Sequence, residues 1–539
     1  MSRLPDPFRE GLSRGWKVAG GDHAGATPLP QSISCDVVIV GSGAGAGITA
    51  EILTSAGLDV VIVEEGPLRT SSDFHQLESE AYPSLYQESA ARQTKDKAIT
   101  ILQGRCVGGS TTVNWTSSFR TPDATLAFWR DRFGLDFATP AAMAPWFEQA
   151  ERRLGIAPWT VPPNVNNELL SRGAERLGIP VASIPRNVKG CWNLGSCGLG
   201  CPTNAKQSML VTTLPVALER GARLLVRTRA QRLERDGTRI TALECVPVRN
   251  DGSVAGSPVR IVAKHYVVAG GAINSPALLM RSSLPDPFDR LGKRTFLHPT
   301  VISAATLDQR VEGWAGAPQS IYSDHFLGTQ PIDGPIGYKI EVPPLHPVIL
   351  AGLAPSYGVE QARTLADFPR THALIALLRD GFHNESQGGQ VKLRGDGSPV
   401  LDYALNSFVL EGARRALLSM AQIQFAAGAR SVMPLHEHAR ACTSAEDARA
   451  FIEALPMKPL LTRVASAHVM GGCGMAGADR LGVTRPDGVH WQIDNLSVHD
   501  GSLFPTSLGA NPQLSIYGLV NRLATGLAKR LSGRDVQLA

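Results

Sequence analysis

The segment from residue 35 to residue 46 constrains the fold more than any other part of the chain. It reads CDVVIVGSGAGA, an apolar run that leads directly into closely spaced glycines. Such a run is typical of a buried parallel strand, and the glycines are typical of a tight turn into a helix. A second apolar run, residues 59–63, ends in Glu64. Together these features predict a βαβ unit.

Each position in this turn has a physical role in binding a dinucleotide. Gly41 lets the strand turn sharply, Gly43 lets the backbone approach a pyrophosphate, and Ala46 is small enough for helix–strand packing. The start of the helix offers N–H groups and a positive dipole end to phosphate oxygens. Glu64 lies 23 positions after Gly41, where an acidic side chain can bind a ribose hydroxyl. The alternative is an ordinary βαβ turn with no ligand.

Length and composition exclude several classes of protein. The chain has 539 residues, 43% of them hydrophobic and 19% charged, which predicts a large core in two or more domains or one interleaved body. Its net charge of +5 is small for this length and no basic run supports nucleic-acid binding. The sequence contains no stretch of 18 apolar residues and therefore does not predict a membrane span. The first 30 residues lack a signal-peptide core, which favours the cytoplasm and leaves peripheral membrane association open.

Periodicity along the chain predicts a mixture of α/β and α+β structure. Alternating residues over 221–268, with a turn at 250–252, predict β-hairpins, and residues 390–397 predict another. Helices are expected over residues 141–155, from about 410 to 428 and from about 512 to 531.

Three further glycine-containing blocks complete the pattern. They are GRCVGGSTTVN at 104–114, GGAINSPALL at 270–279, and a C-terminal block with His468, DGS at 500–502 and GANP at 509–512. In order and spacing they resemble the glucose–methanol–choline (GMC) family of flavin oxidoreductases over nearly the whole chain. The likeness is to the cholesterol-oxidase and long-chain-alcohol branches, since the glucose-oxidase branch carries a second His where this chain has Asn511.

The resemblance implies a Rossmann-type FAD-binding domain interleaved with a β-sheet-rich substrate domain. We expect an N-terminal arm at 1–34, an FAD-binding part mainly at 35–295 with a Cys-rich insertion at about 186–208, a substrate domain mainly at 296–460, and a second FAD-binding part at 461–539. The implied FAD contacts are Gly41, Gly43, Ala46, Glu64, Gly108, Gly109, Ser110, Asn114, Thr228, Asp500, Gly501 and Pro512. The 104–114 loop has no His, so we expect non-covalent FAD. Pro512 at a helix start would aim a positive dipole end at the flavin.

The resemblance also implies the catalytic groups. Oxidation of an alcohol requires a hydride to leave for the flavin and the hydroxyl proton to reach a base. His468 is the candidate to bind the hydroxyl and help to deprotonate it, because the pKa of histidine lies near operating pH. Asn511 would hold the same oxygen or tune the flavin. Glu341, in a segment similar to one of cholesterol oxidase, is the candidate general base.

Three cysteines form a second candidate site. Cys191, Cys197 and Cys201 follow a C-x5-C-x3-C-P pattern, and thiolates are the ligands of iron–sulfur clusters. The segment is similar to one that holds a 3Fe-4S cluster in bacterial FAD-dependent glucose dehydrogenases. A packed Gly/Cys loop, a disulfide and a zinc site are the alternatives, although the cytosol disfavours a disulfide and no fourth zinc ligand lies nearby.

These expectations combine into one predicted activity. The chain is predicted to oxidise a non-phosphorylated, lipophilic alcohol to an aldehyde or ketone and to pass the electrons to an external acceptor such as a quinone, a cytochrome or a dye. The preference for such an acceptor over oxygen rests on the iron–sulfur interpretation. The alternatives are an oxygen-using alcohol or sterol oxidase and a non-redox, FAD-containing lyase.

Overall fold

The secondary structure alternates between helices and short strands. The computed structural model describes residues 4–23, 25–354 and 357–538. Within these ranges the α-helices are α1 Pro7–Ser13, α2 Ala44–Ser55, α3 Glu78–Leu85, α4 Ser110–Val113, α5 Asp123–Phe133, α6 Pro140–Leu154, α7 Val165–Arg176, α8 Thr213–Glu219, α9 Gly271–Arg281, α10 Pro347–Leu353, α11 Gly358–Ala366, α12 Ser407–Ala426, α13 Ala445–Ala454 and α14 Gln513–Ser532.

The strands are mostly short and belong to four sheets. They are β1 Lys17–Ala19, β2 Ser32–Val40, β3 Val60–Val63, β4 Ile99–Ile101, β5 Ile156–Pro158, β6 Ala182–Ser183, β7 Pro185–Asn187, β8 Arg223–Leu225, β9 Thr228–Asp236, β10 Arg239–Pro247, β11 Val259–Val268, β12 Lys293–Phe296, β13 Thr300–Thr306, β14 Ile321–Ser323, β15 Tyr338–Glu341, β16 Thr371–Leu378, β17 Gly389–Leu393, β18 Pro399–Asp402, β19 Ser431–Pro434, β20 Val464–Ser466, β21 Met470–Gly471 and β22 Leu496–Val498.

The first large sheet is the predicted Rossmann-type sheet. Its strand order is β1-β8-β3-β2-β11-β10-β9, with β22 beside β11. The pairs among β1, β8, β3, β2 and β11 are parallel, whereas β9, β10 and β11 form antiparallel pairs. Residues 60–63 of β3 are buried along the whole strand, as expected for a strand covered on both faces. The αβ architecture and the β-hairpin predicted from periodicity are therefore present.

The N-terminal segment differs from the polar arm that we expected at 1–34. Its helix α1 buries Phe8, and its strand β1 adds a parallel edge to β8. Strand β2 begins at Ser32, before the predicted start at Cys35. The strand β1 is short enough to escape a periodicity argument, and pairing with β8 satisfies its backbone groups.

The second large sheet contributes lining residues to the cavity described below. Its strand order is β4-β20-β13-β16-β15-β14-β6, with β19 beside β13. Strands β4 and β6 come from before residue 296, and β20 comes from after residue 460. The second sheet therefore includes strands from outside the range 296–460 that we assigned mainly to the substrate domain. Helix α12 packs against β13 and β16. The domain boundaries themselves stay a prediction.

The three predicted helices are present with small shifts, as α6, α12 and α14, and β17 and β18 form the predicted hairpin. None of the helices in the described ranges combines the length and the apolar character that crossing a bilayer requires.

Candidate active site

A cavity of about 1100 Å³ lies between the two large sheets. Its lining includes the turn after β2, the loop before α4 and the start of α14. It therefore joins segments that are far apart in the sequence. Of the predicted site residues, Ala46, Gly108 and Glu341 do not line it, and the three cysteines lie outside it.

The turn after β2 has the shape that a pyrophosphate requires. Gly41 has φ of +102°, and a Cβ on it would lie 2.3 Å from the carbonyl oxygen of Ala269. A Cβ on Gly43 would have Gly109 Cα, at 3.8 Å, as its nearest neighbour and would extend into the cavity. In the part of the chain that the structure describes, no side chain caps the first N–H groups of α2. Free donors beside open space fit a phosphate group. Ala46 is fully buried within α2, and its role in helix–strand packing stays a prediction.

Glu64 is held at the end of β3 by two hydrogen bonds. Its carboxylate accepts one from Ser42 Oγ at 2.5 Å and one from Gly66 N at 2.7 Å. Burial raises the pKa of Glu64 to about 7. Ser42 Oγ also accepts a hydrogen bond from Gly108 N at 3.0 Å, so it links the two glycine-rich loops. Thr228 lines the cavity nearby and donates its N–H to the carbonyl oxygen of Glu64.

The loop before α4 brings Asn114 to the start of α14. Gly108 and Gly109 have φ of +88° and +54°. Ser110 Oγ accepts a hydrogen bond from Gly104 N, which closes the loop. Asn114 Nδ2 donates to Gln513 Oε1 at 2.7 Å. Helix α14 begins directly after Pro512, and its N-terminus opens into the cavity, as the position of that proline predicts.

Asp500 uses both carboxylate oxygens to fix the C-terminal block against α9. One oxygen accepts from Ser502 N at 2.8 Å, and the other accepts from Gly271 N at 2.8 Å and from Ser275 Oγ at 2.5 Å. Burial raises the pKa of Asp500. Asp500 and Gly501 line the cavity. The glycine-containing block at 270–279 is thereby joined to DGS at 500–502.

His468 lines the cavity and is half-buried there. Burial, reinforced by the charge of Lys339, lowers the pKa of His468 to about 3. Its Nδ1 lies 3.2 Å from Nδ1 of His298, a fully buried residue that we did not predict as part of the site. The imidazole of His468 is therefore neutral at ordinary pH.

Asn511 lies between the cavity and the buried ion pair of Lys339 and Glu341. Its Nδ2 donates to Glu341 Oε2 at 3.1 Å, and its Oδ1 accepts from Lys339 Nζ at 3.3 Å. Lys339 Nζ and Glu341 Oε1 are 3.2 Å apart. Gln319 Nε2 donates to Glu341 Oε2 at 2.6 Å. Glu341 thus lies one hydrogen bond behind the cavity wall. Lys339, two positions earlier on β15, is a site residue that we did not predict.

One wall of the cavity, formed by strands β13 and β16, is apolar. Strand β13 contributes Ile302 and Ala304, and strand β16 contributes Ile375 and Leu377. Ile302 and Ile375 are cross-strand partners. Alternate residues of a strand share one face, so these side chains form a continuous apolar surface together with Leu435. The surface can accommodate an aliphatic chain.

The cysteine segment lacks the geometry of a metal site. In residues 4–23, 25–354 and 357–538, no three His, Cys, Asp or Glu side chains are arranged to hold a metal ion. Cys191, Cys197 and Cys201 are free and half-buried. Lys206 is buried beside them and donates to the carbonyl oxygens of Thr112, Asn114 and Cys197. The segment is therefore fastened to the loop that ends at Asn114.

Comparison with known families identifies the chain. A family model described as GMC oxidoreductase matches it in two parts, an N-terminal part over residues 82–300 and a C-terminal part over residues 385–519. The chain belongs to the GMC oxidoreductase family. The two parts together cover more than half of the chain and include the loop at 104–114, His468 and Asn511.

Individual relatives agree with this assignment. A long-chain-alcohol oxidase of Arabidopsis thaliana is 29% identical over 91% of this chain and 68% of its own length. An uncharacterized GMC-type oxidoreductase of Mycobacterium tuberculosis is 31% identical over 94% of this chain and 77% of its own length. Together with the family and the cavity described above, these relatives make the chain an FAD-binding GMC oxidoreductase, an enzyme.

Solved structures share the fold. Pyridoxine 4-oxidase from Mesorbium loti has a TM-score of 0.66 at 18% identity, covering 91% of this chain and 98% of that one. A variant of Aspergillus oryzae formate oxidase has a TM-score of 0.68 at 14% identity, covering 93% and 99%. At these identities the likeness concerns the fold alone.

Proposed function

We propose that this GMC oxidoreductase oxidises a lipophilic alcohol to an aldehyde or ketone. The observation that carries the proposal is the single cavity that combines His468 and Asn511 with the apolar surface of β13 and β16. Polar groups at one point of an apolar cavity orient a hydroxyl, while the apolar wall binds the chain that bears it. Relatives named long-chain-alcohol oxidases support this substrate class.

FAD, when bound non-covalently, supplies the acceptor for the hydride that leaves the carbinol carbon. Gly43 and the start of α2 would receive its pyrophosphate, and Glu64 its ribose. The N-terminus of α14 offers a positive dipole end to negative charge at the other side of the cavity. The absence of His from the 104–114 loop supports non-covalent binding.

The chain's own residues handle the hydroxyl group. His468 and Asn511 bind its oxygen, and Asn511, by turning its amide from Glu341 to that oxygen, leaves Glu341 free to accept the hydroxyl proton. The C–H bond gives up its electron pair as hydride and the O–H bond gives up its proton, so the carbinol becomes a carbonyl. The positive charge of Lys339 beside Asn511 favours loss of that proton.

Oxygen is the acceptor that we propose. Our sequence-based preference for a quinone, a cytochrome or a dye depended on an iron–sulfur relay, and the cysteine segment offers no converged ligand set. The relatives named oxidases favour oxygen.

Anaerobic mixing with alcohols of increasing chain length tests the activity. We expect the flavin absorbance to bleach with long-chain alcohols, and readmitted oxygen to restore it with release of hydrogen peroxide. Bleaching without peroxide would favour another acceptor. A flavin that stays oxidised while the substrate is cleaved would favour the lyase alternative.

Acid precipitation tests how FAD is attached. It should leave all flavin in the supernatant, and flavin in the pellet would contradict non-covalent binding.

The matched pair His468→Ala and His438→Ala tests the site. His438 is exposed and does not line the cavity. We expect His468→Ala to slow flavin reduction by roughly 10²–10⁴-fold, the range for a positioned acid–base group, with unchanged FAD content. His438→Ala should behave as wild type. A wild-type rate of flavin reduction in His468→Ala would remove His468 from the site.

A further inference from the structure

His298 occupies a position that the proposed chemistry does not itself require. It is 1% exposed and lies in the short connection between β12 and β13, behind His468 as seen from the cavity. Its ring makes contacts at both nitrogens. Nδ1 lies 3.2 Å from His468 Nδ1, and Nε2 accepts hydrogen bonds from Leu508 N at 3.2 Å and from Gly509 N at 2.9 Å.

These contacts determine where the protons lie. A backbone N–H can only donate, so Nε2 of His298 must carry a lone pair. A neutral imidazole then has its proton on Nδ1, and His298 donates it to Nδ1 of His468. Nδ1 of His468 is therefore an acceptor, and the proton of that neutral ring must be on Nε2. Burial lowers the pKa of both rings, so neither is a cation at neutral pH.

Hydrogen bonds from neighbouring residues fix the backbone at His298, and with it the position of the ring. His298 has φ of +46°, a left-handed conformation that is uncommon for a residue other than glycine. The buried carboxylate of Asp380 accepts from Leu297 N at 3.1 Å and from His298 N at 3.2 Å. Tyr403 OH donates to the same carboxylate at 2.8 Å. Strained backbone that is held by several bonds commonly belongs to functional sites.

We propose that His298 is a positioning residue that fixes His468 as an Nε2–H hydrogen-bond donor toward the cavity. His468 then stabilises the negative charge that develops on the alcohol oxygen, and it cannot take the hydroxyl proton at that nitrogen. Glu341 remains the proposed proton acceptor, and His468 no longer has the helping role in deprotonation that the sequence suggested. This inference rests on the proposed function for its meaning, but the tautomer of His468 is measurable without any substrate.

Nitrogen NMR of the holoenzyme with isotope-labelled histidine tests the tautomer directly. The signal of His468 is identified by its absence from His468→Gln. We expect a neutral ring protonated at Nε2. A neutral ring protonated at Nδ1 would overturn the proposal, whether or not any alcohol is oxidised. An enzyme with the expected tautomer that oxidises no alcohol would contradict the proposed function alone.

Two isosteric variants test the role of the donor. His298→Asn keeps an N–H near the position of ring Nδ1, whereas His298→Asp offers only an acceptor there. The variant His298→Asn should keep the Nε2–H form of His468 and a flavin-reduction rate within about tenfold of wild type, since it loses only the bonds to residues 508 and 509. His298→Asp should move the proton of His468 to Nδ1 and lose roughly 10²-fold or more in rate.

Equal rates in His298→Asn and His298→Asp, each with FAD bound, would overturn the proposal. His298→Asp places a second carboxylate near Asp380, Lys339 and Arg379, the charged groups that face the ring. If that variant does not fold, His298→Asn and the wild-type tautomer still decide, since loss of the Nε2–H form is expected only when the donor is lost.

Discussion

Lys339 and Glu341 are a buried ion pair whose members share one face of β15. Residues two apart on a strand point the same way, so both reach Asn511. Lys339 Nζ also lies 2.9 Å from the centre of the Phe119 ring and 4.4 Å from that of Tyr322. Burial lowers the pKa of Lys339 to about 8, although Glu341 opposes the shift. Each charge is therefore tolerated because the other is present.

Removing one charge of this pair should destabilise the enzyme more than removing both. We expect Glu341→Gln to lower the free energy of unfolding by about 3–5 kcal/mol, because it leaves a buried ammonium unpaired. The double variant Lys339→Met/Glu341→Gln should recover most of that loss in denaturant unfolding. Its flavin reduction should stay slow if Glu341 is the proton acceptor. A double variant with wild-type reduction would leave Glu341 a purely structural role.

At the level of elements, a substitution in the turn from β2 into α2 can weaken cofactor binding without affecting folding. Gly43→Ala adds a Cβ whose nearest protein neighbour is 3.8 Å away and which extends into the cavity. We expect the variant to fold normally but to bind FAD about tenfold or more weakly, since backbone can no longer approach the pyrophosphate. Flavin titration of the apoprotein measures this. Gly395→Ala, with no heavy atom within 4 Å of its Cβ, is the control and should bind FAD as wild type does.

The cysteine segment, residues 191–201, is expected to act as packing rather than as a relay. Cys191 Sγ accepts a hydrogen bond from Asn193 N within this segment, and Cys201 Sγ accepts one from Lys206 N just after it. Purified enzyme should therefore contain no stoichiometric iron by metal analysis. Cys197→Ser should keep both flavin reduction and turnover. About three irons per chain, lost in Cys197→Ser, would restore the cluster interpretation.

At the level of the whole molecule, buried neutral histidines couple stability to pH. His372 is fully buried in β16, where Nδ1 lies 2.7 Å from Asn166 Oδ1 and Nε2 has no hydrogen-bond partner among the described residues. Burial lowers the pKa of His372 to about 3. In the unfolded chain the imidazole of His372 takes up a proton near pH 6.5. Its contribution to the free energy of unfolding is therefore complete above that pH and is lost as the pH falls toward 3.

His372→Asn should make the pH dependence of stability shallower. The free energy of unfolding is measured in denaturant between pH 6 and pH 4. We expect the free energy of unfolding to fall less steeply with decreasing pH in the variant than in wild type. The difference in slope should be about 1.4 kcal/mol per pH unit, the value for one proton. Asn keeps a donor for Asn166, so the comparison isolates the titration. Equal slopes would show that His372 is protonated in the folded enzyme over this range.

The sequence by itself determined the features that rest on local chemistry. The glycines of the turn after β2, the apolar runs of β2 and β3, and Pro512 before α14 each have a steric or dipolar reason that is independent of distant residues. These features predicted the Rossmann-type sheet and the FAD site. The order of the motifs also led to the GMC family, to which the chain belongs.

Only the tertiary structure decided which polar groups share a contact. His298 and Lys339 show no local pattern, because their partners His468, Asn511 and the N–H groups of residues 508 and 509 come from remote segments. The position of Glu341 behind Asn511 depends on how β15 meets the start of α14. Likewise, the spacing of three cysteines permits a cluster, but whether the side chains converge on a metal depends on how the loop is anchored, here by Lys206. Periodicity and motifs record local geometry, whereas side-chain convergence is a property of packing.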